Sequence, residues 1–210
     1  MAIARDGWPF ILTPLLVSAL LFGLRLPGPA TATAALGLFT AFFFRDPERQ
    51  APQDPRLVLS PADGKVVFLA EAPPGHPLGA GAWQLSIFLS IFDVHVNRAP
   101  VGGRIVEVDY HKGEFLPAFN DKASLRNEQN AVTIQEGPTR VMFKQIAGLI
   151  ARRIVFDKRV DDLVAPGERV GLIRFGSRVD VFLPREFKAR VKVGERVQGG
   201  TSILAERSNP

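Results

Sequence analysis

The sequence predicts a mostly-β fold: a barrel-sandwich-like single domain of short strands, preceded by an N-terminal apolar helical hairpin. Three observations predict it. Two long uncharged stretches open the chain, a polar segment with three prolines follows them, and the rest consists of short apolar runs separated by Gly and Pro. With 210 residues, 46% of them hydrophobic and 22% charged, the chain can bury one domain and carry an appendage.

The two uncharged stretches, residues 7–24 and 26–44, are rich in Leu, Phe and Ala. Each approaches the roughly 20 residues that span a bilayer core, and LPGP at 26–29 predicts a turn between them. We expect residues 1–44 to form a membrane-associated helical hairpin at the cell membrane. Arg5, Arg45 and Arg49 flank it, which predicts that the active domain lies on the cytoplasmic side. The alternative is a pair of buried core helices in a soluble protein.

Residues 45–57, RDPERQAPQDPRL, show no periodicity and predict a linker. The β-rich domain is expected over residues 58–210. Its short β-branched or aromatic runs predict strands at 64–70, 83–92, 103–111, 131–135, 140–148, 169–175, 178–184 and 189–194. Gly-Glu-Arg-Val occurs twice, at 167–170 and 194–197, and predicts a pair of matched turns that lead into strands.

Composition excludes several classes of function. Without Cys there are no disulfides and no thiolate metal sites, and only three His (76, 95 and 111) are available, so we expect no metal. The net charge of +5 favours an anionic partner. Nucleic acid is not the expected one, because the positive charges are dispersed and no nucleic-acid-binding motif is present.

Gly176-Ser177 lies between two predicted strands and on its own is typical of an ordinary turn. Three other segments accompany it: SPADGKV (60–66), FLSIFDVHVNRAPVGG (88–103) and YHKGEFLPAFNDKASLRNEQN (110–130). In this order the four motifs resemble the phosphatidylserine decarboxylases, in particular their short prokaryotic form. The resemblance covers nearly all of residues 45–205 and also the apolar N-terminal hairpin.

The resemblance implies a proenzyme that cleaves itself between Gly176 and Ser177. The products would be a β chain of residues 1–176 and an α chain of residues 177–210, which stay together as a heterodimer. Ser177 would become a covalent pyruvoyl group, the cofactor. Through a Schiff base with the substrate amine, this group would convert phosphatidyl-L-serine to phosphatidylethanolamine and CO2 at a membrane lipid surface.

The resemblance also suggests roles for single residues. Asp63 matches the acid of a self-cleavage triad, and His95 matches a histidine that lies near the substrate and supports decarboxylation. Arg98 stands where the longer form of the family has a second histidine, the base that activates the serine, and arginine cannot serve as that base. The base is therefore open: either His95 serves both steps, or His111 replaces the second histidine, or processing proceeds differently. Arg98, His111 and Tyr110 are candidate substrate-binding residues.

Two other functions fit the residues alone. One is a membrane-anchored serine hydrolase that uses Ser177, His95 and Asp63, although the chain lacks the Gly-x-Ser-x-Gly elbow. The other is a non-catalytic domain related to biotinyl or lipoyl carriers. Such a carrier needs a lysine at the tip of a hairpin, where these turns carry Gly-Ser and Gly-Glu instead.

Overall fold

The computed structural model describes residues 2–73, 75–114, 126–148, 153–174 and 176–208. The chain divides into two compact units, Met1–Glu48 and Arg49–Pro210. The first unit contains the helices and the second consists of strands and turns.

The N-terminal unit is a helical hairpin, as the sequence predicts. A short 3-10 turn at Arg5–Gly7 leads into α1 (Trp8–Gly23), and α2 follows over Pro27–Phe43. The prediction that LPGP forms the turn is only partly correct. The chain reverses just before this segment, and Pro27 already occupies the first turn of α2. Two short strands, β1 (Ala2–Ile3) and β2 (Arg45–Asp46), pair antiparallel at the open end of the hairpin.

The two helices approach closely at a glycine. A Cβ on Gly37 would lie 2.7 Å from the Leu15 side chain, so a larger residue would push the helices apart. Next to this contact, the Thr40 hydroxyl donates to the Phe10 carbonyl at 3.0 Å. Nearer the turn, Ser18 donates to the Ala30 carbonyl at 2.7 Å. Through these two hydrogen bonds the helices satisfy each other's polar groups without water.

Most apolar side chains of the hairpin are exposed within the described chain. Leu16, Leu20, Phe22 and Leu38 are each more than 60% exposed. One helical stretch, Arg5–Gly23, is long and apolar enough to cross a membrane, judged by length and composition. The single apolar helix by itself is only a weak indication of membrane association. The exposure of the apolar side chains argues against a pair of buried core helices.

The second unit is built from fourteen described strands, and the mostly-β prediction is confirmed. They are β3 (Leu57–Leu59), β4 (Gly64–Glu71), β5 (Trp83–Leu89), β6 (Val96–Arg98), β7 (Gly103–His111), β8 (Gln129–Glu136), β9 (Thr139–Ala147), β10 (Ile154–Phe156), β11 (Leu163–Val164), β12 (Arg169–Ile173), β13 (Ser177–Leu183), β14 (Phe187–Ala189), β15 (Arg196–Val197) and β16 (Ile203–Arg207).

Eight of these strands form one antiparallel sheet in the order β11-β7-β8-β9-β13-β5-β4-β15. Two three-stranded sheets, β10-β12-β6 and β14-β16-β3, complete the unit. Strand β13 lies inside the large sheet, with Ser177 opposite Leu89 of β5 and opposite Ala147 of β9. All seven residues of β13 are buried, so the segment that begins at Ser177 is central to the fold.

Alternation along β13 divides the large sheet into two faces. The face that carries Ser177, Val179 and Val181, here called the core face, packs into the hydrophobic core with Ile87 and Phe143. The opposite face carries Arg178, Asp180 and Phe182, and is here called the outer face.

One predicted strand is wrong. Residues 189–194 hold only the last residue of β14, and the chain then turns at Gly194, whose φ is +98°. That left-handed conformation ends an extended segment and favours glycine. The repeated Gly-Glu-Arg-Val motif is interpreted correctly, because Gly167 is also left-handed and strands begin at Arg169 and Arg196.

The outer face contains a buried ion pair one residue beyond Ser177. The Arg178 guanidinium donates to Asp180 at 2.6 Å and to the Ser86 hydroxyl at 2.7 Å. Gln84 donates to the second carboxylate oxygen of Asp180 at 3.1 Å. Both charged side chains are almost completely buried, so each depends on the other for compensation.

We predict that Asp180→Ala lowers the free energy of unfolding by about 3–5 kcal/mol, because it leaves the Arg178 charge buried without its partner. Chemical denaturation of the full chain in detergent measures this change. The control is Glu206→Ala, which removes the partner of the largely exposed Arg190 and should cost about 1 kcal/mol or less. Equal losses in the two variants would contradict the prediction.

Candidate active site

The turn before Ser177 has an unusual backbone. Gly176 adopts φ +70°, a left-handed conformation that residues with a Cβ rarely take. Among the described residues nothing lies within 4 Å of the position its Cβ would occupy, so the backbone conformation, and not crowding, favours glycine here. Ser177 follows as the first residue of β13, which fixes one side of the Gly176-Ser177 peptide bond in the sheet.

The Ser177 hydroxyl is buried and, within the described ranges, unpaired. Its residue has no solvent exposure, and its Oγ finds no hydrogen-bond partner among the described residues. An unsatisfied buried hydroxyl costs about 1–3 kcal/mol. Such a group in a folded protein calls for an explanation, and a reactive role is one of the recognised ones.

His95 has its ring held from both nitrogens. Its Nδ1 lies 2.9 Å from the Asp93 carbonyl oxygen, which can only accept, so Nδ1 carries the proton. Its Nε2 lies 3.3 Å from the Gly176 nitrogen, whose N–H donates to it. In this tautomer the basic lone pair of His95 faces the residue that precedes Ser177. The side chain is 98% buried, which shields the lone pair from water.

The carbonyl that orients His95 belongs to a tightly held turn. The Asp93 carboxylate accepts from the Ser90 hydroxyl at 2.7 Å and from the Ser90 backbone N–H at 2.8 Å. The Asp93 backbone N–H donates to the Ser90 carbonyl. Arg196 donates to the other carboxylate oxygen of Asp93. This turn holds the Asp93 backbone, and hence the His95 tautomer, in place.

Asp63 does not join His95 in the structure. Among the described residues, its hydrogen bonds go to the two terminal nitrogens of Arg49, at 2.5 and 2.8 Å, and to the Gly199 N–H at 2.8 Å. Arg49 also donates to the Gly199 carbonyl. The Asp63 carboxylate therefore ties three separate segments together. The same loop contacts β6, the strand that follows His95, through the Pro61 carbonyl, which accepts from the Arg98 N–H at 2.9 Å.

Arg98 is 96% buried, and its guanidinium donates to the Gly167 carbonyl at 3.0 Å. Tyr110 and His111 end β7 and lie on opposite faces of the sheet. Tyr110 stands opposite Asn130 on the core face, and His111 stands opposite Gln129 on the outer face. Of the three predicted substrate-binding residues, Tyr110 shares the face of Ser177.

The Tyr110 phenol and the His111 imidazole, at the end of β7, have different electrostatic surroundings. Partial burial and a hydrogen bond to Glu128 raise the pKa of the Tyr110 phenol above its usual value, so it remains a neutral donor. The exposed His111 ring lies 2.7 Å from the Asp109 carboxylate, and this contact places its proton on Nε2. His111 and His95 therefore hold opposite tautomers.

A chain of buried amides lies on the core face beside Ser177. Asn130 donates to Gln145 at 3.1 Å, and Gln145 donates to Asn97 at 2.9 Å. All three residues are at least 97% buried. Asn127, also buried, donates to the carbonyl of Ala147, the residue opposite Ser177. The motifs that contain Asn97, Asn127 and Asn130 are visible in the sequence, but Gln145 carries no signal there.

These residues can support acyl transfer at the Gly176 carbonyl. Ser177 supplies a buried nucleophile, and His95 supplies a lone pair whose direction is fixed by two hydrogen bonds. Within the described ranges, no three His, Asp or Glu side chains are grouped so that they could hold a metal ion.

Comparison with known proteins gives consistent matches. The phosphatidylserine decarboxylase family model matches residues 36–205. The "phosphatidylserine decarboxylase proenzyme" of Solibacter usitatus is 49% identical over 207 residues, which cover 99% of this chain and 98% of that one. The proteins of the same name from Syntrophus aciditrophicus and Burkholderia cenocepacia are 46% and 45% identical, and each alignment covers at least 95% of both chains.

We predict that nitrogen-15 NMR will find His95 protonated at Nδ1 and His111 protonated at Nε2, above the pH at which either ring takes up a second proton. The measurement uses Ser177→Ala, which removes only the unpaired hydroxyl and keeps the Gly176 peptide bond. His111 serves as the internal control because its carboxylate partner fixes the other tautomer. A His95 ring protonated at Nε2 would contradict the geometry described above.

Proposed function

The chain belongs to the phosphatidylserine decarboxylase family and is a carboxy-lyase, and we propose that it makes its own pyruvoyl group from Ser177 and uses it to convert phosphatidyl-L-serine to phosphatidylethanolamine and CO2. The observation that carries the proposal is the buried, unpaired Ser177 hydroxyl beside a left-handed Gly176 whose N–H bonds the His95 lone pair.

Self-cleavage begins at the Ser177 hydroxyl. His95 Nε2 exchanges its hydrogen bond with the Gly176 N–H for one with Oγ and takes the hydroxyl proton while Oγ bonds to the Gly176 carbonyl carbon. It passes that proton to the Ser177 nitrogen as the carbon–nitrogen bond breaks, which leaves an ester and a free amine. Removal of the proton from the Ser177 Cα then expels Gly176 as a carboxylate. Water adds to the remaining unsaturated amine and releases ammonia, which leaves the pyruvoyl group at residue 177.

We assign the base to His95. The rival, His111, lies on the outer face of the sheet, and the guanidinium of Arg98 already donates to a main-chain carbonyl. After Nε2 accepts a proton, the Nδ1–H stays on the Asp93 carbonyl, which supports the positive charge of the ring. In the cleaved enzyme Nε2 can take up a proton again and donate it to the substrate carbon that has lost CO2.

Asp63 enters the proposal as a positioning residue. Its carboxylate holds Arg49 and Gly199, and its loop holds the Arg98 backbone at the end of the strand that follows His95. We propose that Asp63 supports self-cleavage through this scaffold. Direct contact with the His95 ring is not needed, because the Asp93 carbonyl already fixes the tautomer.

The cleaved chains are expected to stay together as a heterodimer. Strand β13 would belong to the α chain, yet it pairs with β5 and β9, which would belong to the β chain. Strands β15 and β16 add pairings with β4 and β3. The Arg196–Asp93 ion pair would also become a contact between the two chains.

The pyruvoyl carbonyl supplies the electrophile that captures the substrate amine and takes up the electrons released as CO2 departs. The substrate carries acyl chains, and the exposed apolar surface of the helical hairpin supports its delivery from a membrane. We propose association with the cell membrane, with the active domain on the cytoplasmic side according to the flanking arginines.

Ser177→Ala is predicted to leave a single uncleaved chain that releases no CO2 from phosphatidylserine, because the nucleophile and the source of the carbonyl are both lost. Gel electrophoresis and a decarboxylase assay measure the two effects. The control is Ser208→Ala, since Ser208 lies near the C-terminus outside the candidate site. Decarboxylation by uncleaved Ser177→Ala would overturn the proposal.

His95→Ala is predicted to slow self-cleavage by roughly 100- to 10,000-fold, the usual contribution of a positioned general base. The time course of precursor processing after expression measures it. The matched control is His111→Ala, which should process at the wild-type rate. Normal processing of His95→Ala, or loss of processing in His111→Ala, would reject the base assignment.

A further inference from the structure

The buried amide chain on the core face has no part in the mechanism above. Gln145 stands opposite Asn130 in β8 and opposite Val179 in β13. Val179 is two residues beyond Ser177 on the same face of the sheet. The amides therefore occupy the row of side chains directly next to the reacting residue.

The amides are ordered in one direction. Asn130 Nδ2 donates to Gln145 Oε1, and Gln145 Nε2 donates to Asn97 Oδ1 and, at 3.4 Å, to the Val155 carbonyl. Because a carbonyl can only accept, Val155 fixes which end of Gln145 is the donor. Asn97 must then present its oxygen to Gln145, and its Nδ2 is left as the last donor of the chain.

This last donor is unsatisfied. Asn97 has no solvent exposure, and its Nδ2 finds no hydrogen-bond partner in the described part of the chain. Each upstream amide polarises the next, so the terminal N–H is a stronger donor than an isolated amide. A buried donor of this kind fits an oxygen that is present at another stage of the protein's cycle.

Asn97 lies on the side of its strand that His95 occupies. One residue separates the two: Asn97 is opposite Gly171 in the ladder of β6 and β12, and the carbonyl of His95, which precedes β6, accepts from the Ile173 N–H. Alternate residues of an extended segment share a face. His95 contacts Gly176, the residue before Ser177, and Asn97 contacts Gln145, which stands opposite Val179, so this short segment touches both the turn before Ser177 and the neighbouring row of side chains.

We propose that Asn97 Nδ2 binds the carboxylate of the substrate's serine headgroup, an inference that rests on the proposed decarboxylase function. The substrate carbon carries the amine, the carboxylate and the arm that leads to the phosphodiester. The amine must reach residue 177, and the acylated arm must stay toward the lipid. The carboxylate is the small polar group left to enter the buried interior, where Asn97 supplies a donor.

A neutral amide suits this carboxylate better than a cation. Loss of CO2 removes the negative charge, so a strong ion pair would stabilise the substrate more than the transition state. Apart from the amides, the core face around residue 177 is apolar, with Val179, Ile87 and Leu89 fully buried. One hydrogen bond from Asn97 orients the carboxylate in these surroundings without neutralising it.

The test measures which lipids the protein captures. Lipid in detergent micelles is incubated with cleaved protein and sodium cyanoborohydride, and the captured lipid on residue 177 is quantified by mass spectrometry. Phosphatidylserine and phosphatidylethanolamine share the amine but differ in the carboxylate. For Asn97→Ala and Asn97→Asp, we expect phosphatidylserine capture and kcat/KM to fall roughly 10- to 100-fold, the range of a lost hydrogen bond to a charged group. Phosphatidylethanolamine capture and self-cleavage should stay at wild-type levels.

Thr133→Val is the matched control, because Thr133 is a buried polar residue of the outer face whose hydroxyl contacts Glu107. This variant should capture phosphatidylserine and phosphatidylethanolamine at wild-type levels. A second measurement needs no variant: wild-type protein should capture the methyl ester of phosphatidylserine as weakly as Asn97→Ala captures the free acid.

Three results would each overturn the assignment. The Asn97 variants could lose capture of both lipids equally, their self-cleavage could be blocked, or wild-type protein could capture the methyl ester fully. Failure of the proposed function looks different, because wild-type protein would then capture neither lipid.

Discussion

The two hydrogen bonds of the His95 ring are the constraint on which the site depends. The Asp93 carbonyl holds the proton on Nδ1, and the Gly176 N–H holds Nε2 against the residue before Ser177. Neither partner is a charged side chain, so the ring is oriented by main-chain groups that the fold itself positions. A turn closed by Ser90 secures the first partner, and the left-handed Gly176 presents the second. Displacement of either backbone would remove the lone pair from the reacting peptide bond.

In the proposed self-cleavage, one fold would serve both the precursor and the cleaved enzyme, because the Gly176-Ser177 bond lies at the end of a strand. Ser177 begins a fully buried strand that pairs on both sides, whereas Gly176 belongs to the preceding turn. Cleavage between them would free the turn and leave the strand anchored. The buried Arg178–Asp180 pair on the outer face strengthens that anchor directly after residue 177. Rigid support on one side and release on the other is what a self-processing site requires.

The sequence predicts the class of fold and suggests the candidate site residues, but not the contacts between them. The alternation of apolar and polar residues predicts the long strands such as β7. The sequence motifs indicate Ser177 and His95 as candidates. The acceptor for the His95 ring is a main-chain carbonyl, which has no signature in side-chain identity. Asp63 illustrates the limit, since its motif suggests a triad acid while its carboxylate binds Arg49, a residue of the predicted linker. The link from Gln145 to Asn97 depends on sheet register between distant segments, which no local pattern encodes.

The intact masses of the purified wild-type chains test the central claim most directly. Two fragments are expected, one ending at Gly176 and one starting at residue 177. The second should be lighter by one ammonia than the peptide that simple hydrolysis would leave, because an amino-terminal serine has become a pyruvoyl group. An active preparation that contains only the unbroken chain, or a second fragment that still begins with an intact serine, would contradict the account.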